Sequence, residues 1–311
     1  MGQITDTVLM VKPHHFCRNE ETAVNNYFQQ GGNEIGQEEI LKSAQLEFDG
    51  FVKALRDKGV NVIVVEDRPE VITPDSVFPN NWISFHANGD VTLFPMYANN
   101  RRLERRDDIL DLLEDQGFEI GHVFDLTDAE REDKFLEGTG SMILDRENGI
   151  AYCALSYRSD EELFREFCEL FGYRPVPFKA YQSVDGERKL IYHTNVVMTL
   201  GESFAVVCAE AIDDIQERER VINTLKRSEK EVILISEAQL ASFAGNMLQV
   251  ENNEGDRFLV MSSTAHNSLN NDQIKRLKQH TEFIVVDIPT IEYFGGGSAR
   301  CMLAEVFLPR E

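Results

Sequence analysis

Five side chains capable of chemistry recur along this chain at nearly constant spacing. Asn81, Glu137, His193, Asn246 and Cys301 are separated by 56, 56, 53 and 55 residues. If the chain repeats one structural unit with that period, all five fall at equivalent places, and in a closed repeat those places meet near one axis. A thiol, an imidazole and a carboxylate brought together form a nucleophilic set. The thiolate attacks a carbon bound to nitrogen, the imidazole carries a proton to the departing nitrogen, and the carboxylate orients and charges the imidazole. Taken singly, a lone cysteine is core filler and a lone histidine a structural hydrogen-bonder. Their recurrence in phase is what points to chemistry. Cys301 follows Phe294-Gly295-Gly296-Gly297-Ser298-Ala299-Arg300. Glycines let the backbone bend and approach a ligand closely, and Arg300 is placed to stabilise a thiolate. A phosphate cradle is the rival reading of three glycines, but no Lys-Ser/Thr follows and a β-rich run comes next.

The elements that must position these residues are legible as a repeat. A helix-spaced amphipathic segment followed by a short β-rich run occurs at Phe48–Lys58 with Val60–Glu66, Asp108–Gln116 with Phe118–Phe124, and Glu161–Phe171 with Tyr173–Phe178. It recurs at Ile215–Arg227 with Glu231–Ser236 and at Asp272–His280 with Glu282–Ile288. After each of the first four β runs comes a loop and then a hairpin whose turn is rich in Asn, Asp, Gly or Glu: residues 88–90, 145–149, 201–203 and 252–255. The fifth unit has one strand, Cys301–Leu308, and Thr7–Val11 is the unpaired strand that would complete it and close a ring. An open doubly wound sheet also alternates strands and helices, but it lacks hairpins within its units and prefers a Gly-x-Gly-x-x-Gly turn that is absent here. The expectation is an α/β fold of five like units, residues 1–311 forming one domain.

Composition narrows the partners. With 54 acidic and 31 basic residues the formal charge is −23, which disfavours nucleic acid and anionic lipid. No apolar run approaches the roughly 20 residues of a membrane span, and residues 1–6 carry neither a secretory nor a myristoylation signal, so a cytoplasmic location is expected. Cys17, Cys153, Cys168, Cys208 and Cys301 show no paired spacing, and no disulfide is expected. His14, His15 and Cys17 could together bind a soft metal, but no fourth ligand is in register, so a solvent-facing loop is expected and no metal or cofactor.

The segment Gly295-Gly296-Gly297-Ser298-Ala299-Arg300-Cys301-Met302 resembles the nucleophile segment of arginine deiminases and their relatives. Leu136-Glu137-Gly138 resembles the acidic motif of that guanidino-modifying (pentein) superfamily, His193-Thr194-Asn195 its His-x-Asp motif, and Asp75-Ser76-Val77-Phe78 the substrate loop of dimethylarginine dimethylaminohydrolases. The resemblance implies a five-bladed pseudo-symmetric αβ propeller and covalent catalysis without a cofactor. It makes Cys301 the nucleophile, His193 the acid and base, and Glu137 the bridging carboxylate. Asp75 would contact the substrate and Arg158 its carboxylate, a task suited to a planar fork. Gly296, Gly297 and Arg300 complete the expected substrate contacts.

The chain departs from those relatives at three positions. Asn80 and Asn81 stand where the dimethylarginine-hydrolase pattern has Glu and Asp, and Asn195 stands where the deiminase pattern has Asp. A buried guanidinium wants anionic acceptors, whereas an amide both donates and accepts and so matches a neutral ureido group. The expected substrate is therefore a small ureido or guanidino amino acid, with citrulline, hydrolysed to ornithine, ammonia and carbon dioxide, as the first choice. Arginine deiminase, arginine dihydrolase, dimethylarginine hydrolase and amidino-transfer activities are the alternatives, as is a non-catalytic binding protein resembling the ribosomal anti-association initiation factor. Self-association is left open by the sequence.

Overall fold

The computed structural model describes residues 2–31 and 36–310. Strand β1 (Thr7–Lys12) lies beside β2 (Asn61–Glu66), and β3 (Ile83–Phe85), β4 (Val91–Leu93) and β5 (Val123–Asp125) form the next sheet. β6 (Met142–Asp145), β7 (Ile150–Ala154) and β8 (Arg174–Phe178) follow, then a separate hairpin of β9 (Tyr181–Val184) and β10 (Glu187–Leu190). β11 (Met198–Leu200), β12 (Phe204–Val207) and β13 (Glu231–Leu234) precede β14 (Leu248–Glu251), β15 (Arg257–Ser262) and β16 (Glu282–Val286). Finally β17 (Ala304–Glu305) returns to pair with β1. Among the described residues there are thus five three-stranded sheets on one plan. The first two strands are antiparallel and the third is parallel to the second. A parallel return needs a crossover, and in every unit a helix supplies it.

Local chemistry explains where these helices begin and end. Glu161–Phe171 starts where the Asp160 carboxylate accepts from the Glu162 and Leu163 amides, stops at Gly172 in the left-handed region, and buries Leu163, Phe164, Phe167 and Cys168. Ile215–Arg227 starts at Asp214, which caps the Glu217 amide, and buries Val221 and Leu225. Both helices have the bounds expected from the sequence.

Elsewhere the structure revises the expectation. The helix assigned to Phe48–Lys58 runs Gln37–Arg56, because Ile40 and Ala44 extend the buried stripe of Phe48, Phe51, Val52 and Leu55 backwards and Glu38 and Glu39 favour its N-terminal end. The run Phe118–Phe124 is strand only at Val123–Asp125, since Phe118 bridges to Arg310 and the Gly121 amide donates to the Gly89 carbonyl of the neighbouring turn. The β9–β10 hairpin had no counterpart in the expected repeat, although its turn, Asp185-Gly186, has φ of 51° and 81° as an Asp-Gly hairpin turn requires. Cys301–Leu308 is not one strand. Ala299–Met302 coils into a helical turn and only Ala304–Glu305 pairs with β1, at Leu9 and Val8.

No described helix is long and apolar enough to cross a membrane. Cys153, Cys168 and Cys208 are buried, and burial raises the pKa of each thiol. No group of three His, Cys, Asp or Glu side chains among the described residues is placed to hold a metal, and His15 Nε2 instead lies 2.8 Å from the Pro69 carbonyl.

Candidate active site

All five in-phase residues sit just before the first strand of a unit: Asn81 before β3, Glu137 before β6, His193 before β11, Asn246 before β14 and Cys301 before β17. Short helical turns, Pro79–Asn81, Gly138–Ser141, Thr194–Val197 and Ala299–Met302, carry or follow four of them and aim their side chains inward. Two of these turns pack tightly. A Cβ added at Gly140 would lie 2.4 Å from Asn81 Nδ2 and 2.8 Å from His193 Nδ1, so only glycine lets both side chains pack against its backbone.

His193 Nε2 lies 2.8 Å from Glu137 Oε2, and the other Glu137 oxygen accepts from the Tyr97 amide at 3.0 Å. Arg158 Nη1 and Arg101 Nη1 stand 3.6 and 3.9 Å from the same carboxylate. Burial alone would raise the Glu137 pKa; the Arg158 charge, the His193 hydrogen bond and Arg101 outweigh it and bring it to about 2. Burial lowers His193 to about 4, and Glu137 offsets only part of that fall. At neutral pH the pair is a carboxylate and a neutral imidazole whose Nε2–H donates to Glu137. His193 Nδ1 then has no partner among the described residues and is free to take a proton.

These pKa values imply an acid-sensitive fold. Unfolded histidine gains its proton near 6.5, whereas folded His193 resists protonation until about 4, so between those values the unfolded chain binds more protons and stability falls with pH. Glu137 continues the loss from 4.5 down to about 2. Each pH unit inside either window removes up to about 1.4 kcal/mol. Urea midpoints measured from neutral pH to below 4 should decline, and His193→Gln should flatten the upper window. An unchanged profile in that variant would show that His193 is not the group responsible.

Cys301 is buried, and its Sγ faces the side-chain amide nitrogens of Asn195 at 3.3 Å and Asn246 at 3.2 Å. Both donate to it, which favours an electron-rich sulfur. Asn246 also donates to the Asn195 carbonyl and accepts from the Arg300 amide. It stands on the axis that the spacing predicts. Arg300 differs from expectation: its guanidinium donates to the Leu303 carbonyl and to Glu305, both at 2.8 Å, and does not line the cavity that contains Cys301. The helical turn that brings Cys301 inward sends its predecessor the other way. Gly297 does line that cavity, while Gly296, at φ +62°, accepts from the Tyr192 hydroxyl and leaves no room for a Cβ against Gln29.

Asp75, Asn81, Arg101, Arg158, Tyr192, His193 and Cys301 border one cavity. Asp75 Oδ2 accepts from Asn19 and Thr22, but its Oδ1 is buried without a partner among the described residues. Burial raises the Asp75 pKa against the pull of Arg101. Arg158 is not an open fork. Nε and Nη2 are bound to Asn25, Nη2 also to the Thr22 carbonyl, and the guanidinium lies over the Tyr192 ring. Asn80 is fully buried but does not line the cavity; its Oδ1 accepts from Asn81 Nδ2 at 3.0 Å. Asn195 Oδ1 is a second buried acceptor without a partner among the described residues, although Asn195 does not line the cavity.

Sequence reading missed Arg101 and the segment around Asn19, Thr22 and Asn25. Arg101 donates through Nε and Nη2 to Glu104, both at 2.8 Å, and through Nη1 to Asn81 Oδ1 at 2.7 Å. Its only sequence signal is a basic pair, Arg101-Arg102, in an otherwise acidic chain.

A family-wide comparison matches residues 12–308 to the family described as N,N dimethylarginine dimethylhydrolase, eukaryotic. The chain belongs to that family. With it the chain belongs to the pentein superfamily of guanidino-modifying proteins. No curated protein sequence matches it. Among solved structures, a variant of the N-terminal domain of ArgZ bound to substrate, an arginine dihydrolase from the ornithine-ammonia cycle in cyanobacteria, superposes with a TM-score of 0.72 at 19% identity, covering 96% of this chain and 97% of that one. Unliganded AgrE gives 0.72 at 18% identity, covering 96% and 39%. A dimethylarginine dimethylaminohydrolase adduct with S-methyl-L-thiocitrulline gives 0.63 at 14%, covering 97% and 99%. The chain spans 41% of apo ArgZ and nearly all of its N-terminal domain. These likenesses carry the fold, an αβ propeller of the pentein type.

Proposed function

We propose that the chain is a cysteine-dependent hydrolase of a small ureido or guanidino amino acid, and that citrulline or a close ureido analogue is its substrate. One observation carries the choice. Arginine has donors only, so the Asn81 atom 2.7 Å from Arg101 Nη1 is the amide oxygen. The Asn81 NH₂ group gives one hydrogen to Asn80, its second has no partner among the described contacts, and Asn81 borders the cavity. A free donor there suits a ureido oxygen and repels a guanidinium, which has no acceptor. The unpartnered Asp75 Oδ1 would take a substrate N–H.

In this scheme His193 takes the Cys301 thiol proton and Glu137 stabilises the imidazolium. The sulfur bonds to the ureido carbon while the carbonyl electrons move to oxygen, beside the Asn81 donor. Collapse breaks the bond to the terminal nitrogen, His193 returns its proton, and ammonia leaves. Water then cleaves the carbon–sulfur bond, giving the thiol and a carbamate that loses carbon dioxide to form ornithine. One domain acting in the cytoplasm, on a single small amino acid, is part of the same proposal.

Arginine is the second reading, favoured by the two carboxylates, Asp75 and Glu137, at or behind the cavity. Steady-state hydrolysis of citrulline and arginine side by side, with ammonia and ornithine quantified, decides between them. Asn81→Asp should cut kcat/KM for citrulline at least about tenfold and raise the arginine-to-citrulline ratio. Inertness toward citrulline with release of citrulline from arginine would make the protein a deiminase.

A further inference from the structure

Four arginines are buried in this strongly acidic chain: Arg101, Arg146, Arg158 and Arg300. Three face a carboxylate: Arg101 faces Glu104 at 2.8 Å, Arg158 faces Glu137 at 3.6 Å, and Arg300 faces Glu305 at 2.8 Å. Arg146, 6% exposed, has no carboxylate within 4 Å among the described residues, and its Nη1 is buried without a hydrogen-bond partner. Its guanidinium stacks 4.0 Å from the Phe307 ring, a contact that supplies no counter-charge. A guanidinium removed from water needs an anionic acceptor, so this group is incomplete as it stands.

Arg146 borders a cavity that shares no lining residue with the one containing Cys301. Arg300, Glu305, Gln3 and Thr139 supply its polar wall, with Leu200 and Met247 among its apolar residues. Glu305 is its one carboxylate among the lining residues and is already bound to Arg300, so the cavity pairs two guanidiniums with a single acid. The space is sized for one ion or one water. We propose that this second cavity binds a small inorganic anion of the chloride type, held by Arg146 Nη1. Arg300, which lines the same cavity, carries the amide that donates to Asn246 Oδ1 at 3.0 Å, and Asn246 Nδ2 donates to Cys301 Sγ at 3.2 Å.

Bromide is the probe. Crystals grown in bromide should show an anomalous peak within hydrogen-bonding reach of Arg146 Nη1 that is absent from Arg146→Met. In solution, replacing gluconate by bromide at constant ionic strength should raise the wild-type Tm by at least ~2 °C, and the gain should vanish in Arg146→Met. A map without a peak at Arg146, or equal stabilisation of the variant, overturns the proposal. If Arg146→Met fails to fold, the wild-type anomalous map decides alone.

Discussion

Cys301→Ala should slow citrulline turnover by at least about 10⁴-fold, because the attacking sulfur is gone and no other described cysteine lines the cavity. The variant should also lose some stability. Asn195 and Asn246 each direct an amide donor at Sγ, and alanine leaves both without that acceptor, at a cost of about 1–3 kcal/mol per donor left unpaired. Cys301→Ser separates the two effects, since its hydroxyl accepts from the same amides but is a far weaker nucleophile. Calorimetry and single-turnover assays on both variants should find serine near wild-type in Tm and as inactive as alanine. Retained turnover in Cys301→Ala would remove the covalent mechanism altogether.

Glu137→Gln is expected to cost both activity and fold. A glutamine cannot stabilise the imidazolium, which predicts a fall of roughly 10²- to 10⁴-fold in kcat. It also strips the shared anion from Arg158 and Arg101, and breaking a buried ion pair in this way costs about 3–5 kcal/mol. Adding Arg158→Met to Glu137→Gln should recover part of the denaturant midpoint without restoring kcat. A single variant with wild-type stability would show that the two guanidiniums are satisfied without Glu137.

The repeat was legible because each unit carries its own local signals: the caps at Asp160 and Asp214, the Gly172 stop and the turn residues between paired strands. The in-phase residues were legible for the same reason, as each precedes a first strand. What escaped depends on contacts between distant segments. Arg101 is recruited by Asn81 and Glu104 from a helical turn of Asn99–Arg102 that has no apolar period, and Asn19 and Thr22 reach Asp75 only when the segment after β1 folds back. Arg300 does not line the cavity because neighbours along a helical turn point in different directions, and adjacency to Cys301 says nothing about where the guanidinium goes. Phe118 begins a run with strand-like composition, but it pairs with the distant Arg310 instead of extending that strand.

The closing sheet has a consequence for the order of folding. Four sheets are built from strands near one another in the sequence, but the fifth joins Val8 to Glu305, nearly the whole described chain apart. Contacts of such separation carry the largest loop-closure cost and form late. Cys301 is carried on the segment that makes this last contact, whereas Glu137 and His193 lie in units complete without it. A refolding chain would therefore regain its far-ultraviolet signal, and even its buried His193–Glu137 pair, before it regains a placed nucleophile.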